Sequence, residues 1–149
     1  MKAMLLASLA GLFWGVGEVF TKSVLHSGKI GPVTALAVRS TVALPVLWIT
    51  WWIVSRRGLE PTGWTQADGP TLAKLVCGSG LIAGAGGMIF FYLALHAGDI
   101  SRIKPVAFTL APATAVLIGW LVLGDTMSTQ KIVGIGLVLA GVVVLTGGK

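Results

Sequence analysis

The sequence predicts an all-α membrane protein of five transmembrane helices, and three observations carry that expectation. Of its 149 residues 55% are hydrophobic and only 11% charged, with a mean hydropathy of +0.91. Soluble domains carry about 25% charged residues, so too few are present here to coat a particle in water. Five stretches approach or exceed the roughly 20 apolar residues that cross a hydrocarbon core about 30 Å thick. Their apolar runs are continuous, whereas strands of a membrane barrel alternate over about ten residues.

The first span covers about residues 3–25. Its start, Met1-Lys2 followed by apolar residues and Ala7-Ser8-Leu9-Ala10, imitates a secretory signal peptide. The apolar run continues through Trp14 to Val24, which a cleaved segment would not need, so it reads as a span. After the break Ser27–Gly31 the second span follows at about 32–54, with Pro45 inside it. The break Ser55–Thr71, holding Pro61, Gly63, Gly69 and Pro70, is the one long enough for surface structure of its own. The third span, about 72–97, ends at Gly98-Asp99. The fourth, about 101–123, contains Pro105 and Pro112, which are expected to break its hydrogen-bond ladder. Gly124–Ser128 leads into the fifth, about 129–146. Residues 1–149 thus read as a single five-helix domain.

Cys77 stands alone, which excludes a disulfide framework and a cysteine-based zinc site. The net charge of +6 is spread singly, without the basic cluster that grips a phosphate backbone, so no nucleic-acid partner is expected. No nucleotide-binding loop, metal-ligand cluster or nucleophile–base pair appears. Neither enzymatic activity nor a metal or other cofactor is expected.

Lys and Arg normally set orientation. Here one face holds Lys2, Arg56, Arg57, Lys74 and Lys131, and the other Lys22, Lys29, Arg102, Lys104 and Lys149. This even division gives no clear instruction for insertion. Either it is accidental, with a partner or finer features deciding, or the chain inserts both ways.

Ionisable residues inside a span cost about 2.5–3.5 kcal/mol each at the helix centre and usually face protein or a wet cavity. Glu18 precedes Val24 by six residues and so lies roughly 9 Å below that membrane face. Arg39 follows Pro32 by seven residues, at roughly 10 Å from the same face. The short intervening loop makes the helices neighbours, so the two can meet at matching depth. Lys22, one turn from Glu18, competes as its partner. Such a pair is either a static stitch between helices or the seat of a carboxylate coupled to substrate or proton. Trp48, Trp51, Trp52, Trp64 and Trp120 fall near one face as an interfacial belt. Trp14 lies mid-span, one turn before Glu18, and is either a packing residue or a cavity wall. Tyr92 and His96, one turn apart, approach the same face, His96 as an interfacial residue first. Gly11/Gly15 and Gly80/Gly84 are G-x-x-x-G pairs that favour close helix approach, and Gly134 and Gly141 share a face that could form a seam. Interrupted helices near ionisable residues are the pattern of transporter binding sites.

These features together resemble the drug/metabolite transporter superfamily, in particular one five-helix EamA-type repeat. The likeness covers nearly the whole chain. It rests on Leu12-Phe13-Trp14-Gly15 with Lys22, on Arg39 early in the second helix, and on Phe91-Tyr92-Leu93-Ala94-Leu95 before Gly98. The last third is most specific: Ala111-Pro112, then Gly119-Trp120-Leu121-Val122-Leu123-Gly124-Asp125, Gly134 and Ala140-Gly141-Val142. Asp125 departs from the family's usual Glu. In the small multidrug exporters of the superfamily a coupling Glu lies in the first helix. Aligned through Lys22, that position is Trp14 here, and Glu18 lies one turn later.

The resemblance implies a secondary transporter that moves a small metabolite or drug-like compound by alternating access, in the cytoplasmic membrane of a prokaryote. A non-transporting membrane subunit and half of a lipid-carrier flippase are the alternatives. The implied partners are a small-molecule substrate, a proton or other coupling ion, the lipid bilayer and an antiparallel second copy. The expected substrate or ion site comprises Trp14, Glu18, Lys22, Arg39, Tyr92 and Lys104. Helix breaks are expected at Pro105 and Pro112, and a dimer seam at Gly134 and Gly141. Acidic and basic groups in one lining would favour a zwitterionic or anionic metabolite.

Overall fold

A computed structural model describes residues 1–61 and 63–147. Lys149, counted above among the basic residues of one face, lies outside the described residues. Helices α1 (Lys2–His26) and α2 (Pro32–Arg56) are followed by a 3-10 turn at Trp64–Gln66. The third span is composite: α3 (Gly69–Ala73), a π-helix (Lys74–Gly87) and α4 (Met88–Ala97). Helices α5 (Ile100–Leu123) and α6 (Thr129–Gly147) complete the order. Five helical stretches are long and apolar enough to cross a membrane: Lys2–His26, Pro32–Arg56, Gly69–Ala97, Ile100–Leu123 and Thr129–Gly147. The chain forms two compact units, residues 1–96 and the residues from 97 onward.

Local chemistry sets the helix ends. Pro32 opens α2 at a position where its missing N–H is not needed. The Asp68 carboxylate caps α3, accepting from the Thr71 N–H at 3.1 Å and the Thr71 hydroxyl at 2.7 Å. Both contacts favour the ionised form, and they hold the Asp68 carboxyl below the usual aspartate range, the hydroxyl contributing most. Helix α5 stops at Gly124, whose φ of 71° lies in the left-handed region that a side chain disfavours. The Asp125 N–H then turns back to the Gly119 carbonyl at 3.1 Å.

Two interruptions differ from the sequence expectation. Helix α5 runs continuously through Pro105 and Pro112. Each proline removes one ladder donor, opposite the carbonyls of Ser101 and Phe108, but neither ends the helix. The altered winding lies instead in the third span, over 14 residues that hold five glycines, Gly78, Gly80, Gly84, Gly86 and Gly87. A π-helix closes hydrogen bonds one residue further back than an α-helix. A Cβ placed on Gly84 would lie 3.1 Å from the Ser79 carbonyl oxygen five residues earlier, and one on Gly86 3.4 Å from that of Leu81. Glycine leaves room for that carbonyl.

The buried apolar interior is small: Leu25, Phe91, Tyr92 and Leu95. Most large apolar side chains are exposed, as lipid-facing residues are, since lipid tails supply no hydrophobic drive to bury them. In the second unit α5 and α6 pack side by side. Between them an apolar cavity of about 120 Å3 is lined by Thr109, Pro112, Ala113, Gly134, Ile135 and Val138.

Candidate functional site

In the first unit, α1, α2 and α4 enclose an open cavity of about 390 Å3. That lies within the ~300–1,000 Å3 range of small-molecule sites, which pair apolar walls with a few placed polar groups. Helix α1 supplies one wall at helical spacing: Phe13, Trp14, Gly17, Glu18, Phe20, Thr21 and Val24. Ala35, Val38 and Arg39 come from α2, Ile30 from the turn before it, and Tyr92 from α4.

Tyr92 is the hub. Its side chain is 1% exposed. The Arg39 guanidinium donates through Nη1 to the Tyr92 hydroxyl at 2.9 Å, with Cζ 5.8 Å from the ring centroid. A guanidinium donates only, so the tyrosine oxygen accepts there. The Thr21 hydroxyl donates to the Gly17 carbonyl at 3.2 Å, and its oxygen lies 3.5 Å from the tyrosine oxygen. The directions therefore run from Arg39 through Tyr92 and Thr21 to the backbone of α1, a chain that joins three helices. The cation–π contact of Arg39 with the ring acts in the same sense.

Glu18 is 3% exposed and lines the same cavity. Carboxylates are almost never so buried unless compensated, and an intramembrane one marks a functional position by default. Trp14 stands one turn before it, half exposed into the cavity.

Four of the expected site residues, Trp14, Glu18, Arg39 and Tyr92, thus line one space. Lys22 is used differently. Its ammonium donates to the Leu95 carbonyl at 2.8 Å in the last turn of α4. A cation there satisfies a terminal carbonyl and complements the negative end of the helix dipole. Lys104 belongs to the second unit, where its ammonium lies 5.2 Å from the Phe108 ring centroid. Sequence reasoning did not single out Phe13, Phe20 or Thr21. The signal available was helical spacing: Thr21 shares a row with Trp14 and Glu18, and Phe13 and Phe20 share the adjoining row with Gly17 and Val24. An added Cβ would meet nothing within 4 Å at Gly134 or Gly141. Among the described residues no group of three or more potential metal ligands occurs.

Among curated proteins and among solved structures no match to the chain was found. The model of the EamA-like transporter family matches residues 1–147, and the chain belongs to that family.

Proposed function

We propose that this protein is a secondary transporter that moves a small zwitterionic or anionic metabolite by alternating access, with the cavity of the first unit as its substrate site. The observation that carries this reading is one apolar cavity of about 390 Å3 holding both the buried Glu18 carboxylate and the Tyr92-oriented Arg39 guanidinium. The guanidinium offers a planar fork to a carboxylate or phosphate. Glu18 accepts an amine or a coupling proton. Trp14, Phe13 and Phe20 hold the apolar part of the substrate.

Accumulation of labelled candidate metabolites in vesicles that contain only the purified chain tests the function. Uptake without any partner supports it, and its absence across zwitterionic and anionic classes overturns it. Single cysteines at Trp14, Glu18, Arg39 and Tyr92, in a Cys77→Ala background, should react with water-soluble thiol reagents. Reaction no faster than at Leu117 or Leu139 would remove the cavity from the transport path.

An antiparallel pair of chains fits the same reading. The even division of basic residues between faces and the open glycine positions Gly134 and Gly141 support it. Leucine at both glycines should weaken crosslinking between copies, and a single topology for every copy would exclude the inverted arrangement.

A further inference from the structure

The end of α2 carries a second constellation, separate from the cavity. Trp48, Trp52 and Arg56 follow one another at intervals of four residues and so form a single stripe along the helix. The Arg56 guanidinium lies 5.5 Å from the Trp52 ring centroid. Trp51 meets Trp48 edge-on at 5.5 Å. Trp64, in the 3-10 turn beyond the helix, folds back to within 6.5 Å of Trp48. The turn therefore returns two helical turns toward the membrane interior rather than extending into water. Arg57 caps the helix beside Arg56, and both side chains are exposed.

The dimensions matter. Trp48 and Arg56 are eight residues apart, about 12 Å along an α-helix. Headgroup and interfacial layers occupy roughly 5–7 Å on each side of the hydrocarbon core. A stripe of this length begins at acyl-chain depth and ends at or beyond the phosphate level. Its inner part is aromatic and its outer end doubly cationic. A free phosphate would use only the outer end. A phospholipid matches the whole length, its phosphate at the arginine pair and its glycerol and first methylenes along Trp52 and Trp48.

We propose that the Trp48/Trp52/Trp64 patch with Arg56 and Arg57 is a binding site for one anionic glycerophospholipid. The guanidinium groups of the consecutive residues Arg56 and Arg57, both exposed, recognise the phosphate through planar hydrogen-bonding forks, and the tryptophans hold the interfacial segment of the lipid. Exposed Glu60, four residues beyond Arg56, is the opposing charge in this loop and limits the affinity.

Native mass spectrometry of the detergent-purified full chain, titrated separately with phosphatidylglycerol, phosphatidylcholine and inorganic phosphate, tests this. The expected result is a saturable single phosphatidylglycerol adduct that tolerates added inorganic phosphate. Each arginine contributes about fivefold near an anionic surface, so Arg56→Gln and Arg57→Gln should each weaken the adduct by about that factor. Glu60→Gln should strengthen it. Lys29→Gln removes the same charge far from the tryptophans and should leave it unchanged. Equal retention of phosphatidylcholine would overturn the proposal in favour of a plain aromatic belt. Displacement by inorganic phosphate would overturn it in favour of a simple anion site. Equal losses for Lys29→Gln and Arg56→Gln would reduce it to nonspecific surface charge. Should the arginine variants fail to fold, Glu60→Gln still decides, since no gain in adduct contradicts the site.

Discussion

Residues 1–96 hold a buried carboxylate within their spans, beside a buried tyrosine and a guanidinium that hydrogen bonds tie across three helices. The hairpin of α5 and α6 is held chiefly by apolar and small side chains, with cavities of about 120 Å3 and about 340 Å3 whose linings carry no charged residue. Both units face the same solvent, and lipid rewards neither for burying methylenes. The difference therefore marks where polar groups are retained despite a cost of about 2.5–3.5 kcal/mol for each charge at mid-span. On the proposed function, recognition rests with these polar groups of the first unit.

The largest effect should follow from removing a charge at the cavity. Arg39→Gln and Glu18→Gln should each lower transport in vesicles at least tenfold, since a hydrogen bond to a charged group contributes about 1.5–3 kcal/mol. A conservative change in the other unit, Ile135→Val, should leave transport within about twofold. Comparable losses in both units would erase the division between them. Next in size is Tyr92→Phe, which keeps the ring and removes the acceptor of Arg39. It should weaken substrate affinity about tenfold while leaving the apolar packing of Phe91 and Leu95 intact. An unchanged affinity would reduce Tyr92 to a wall residue.

Alanine in place of glycine should then act with opposite sign in the two units. At Gly84 the new Cβ lies 3.1 Å from the Ser79 carbonyl, and the melting temperature in detergent should fall, with a loss of about 1 kcal/mol. At Gly134 nothing lies within 4 Å, and alanine should stabilise α6 by up to about 1 kcal/mol.

The smallest effect concerns the cap at the start of the third span. The Asp68 carboxyl is held below its ordinary range chiefly by the Thr71 hydroxyl, with its N–H assisting. Its contribution is fully present above the ordinary aspartate range and is lost as pH falls through the lowered value. Asp68→Ala should therefore lower the melting temperature modestly at neutral pH, where the cap is fully present, and the two thermal profiles should converge as pH falls through the lowered value.

Much of this arrangement was legible in the sequence because its signals are local. Continuous apolar runs bounded by Gly, Pro and Asp place all five spans to within three residues at either end. Glu18 and Arg39 could be placed at one depth because a five-residue break joins their helices. Three features were not legible, each for a physical reason. Hydropathy does not register a change from four-residue to five-residue hydrogen bonding, so the winding of Lys74–Gly87 was invisible except through its glycine density. Proline predicts a missing donor, but whether the helix ends there depends on what else holds it, and α5 continues past both prolines. The distances that bring the Lys22 ammonium to the Leu95 carbonyl and the Trp64 ring to Trp48 belong to tertiary structure.

The π-helix also bears on how chain length relates to bilayer thickness. As a regular α-helix the 29 residues of Gly69–Ala97 would extend about 44 Å, against about 38 Å for the 25 residues of α1 and about 29 Å for the 19 of α6. Such a helix would have to tilt steeply or stretch the membrane around it. Wider winding puts more residues into each ångström of axis, so the surplus is taken up inside the span. The segment thus works as a slack length of chain. Loss of one residue between Lys74 and Gly87 can be absorbed by tightening a single turn, with Tyr92 still facing Arg39. The same loss between Trp14 and Thr21 of α1 would rotate every later side chain by about 100° and swing half of the cavity wall toward lipid.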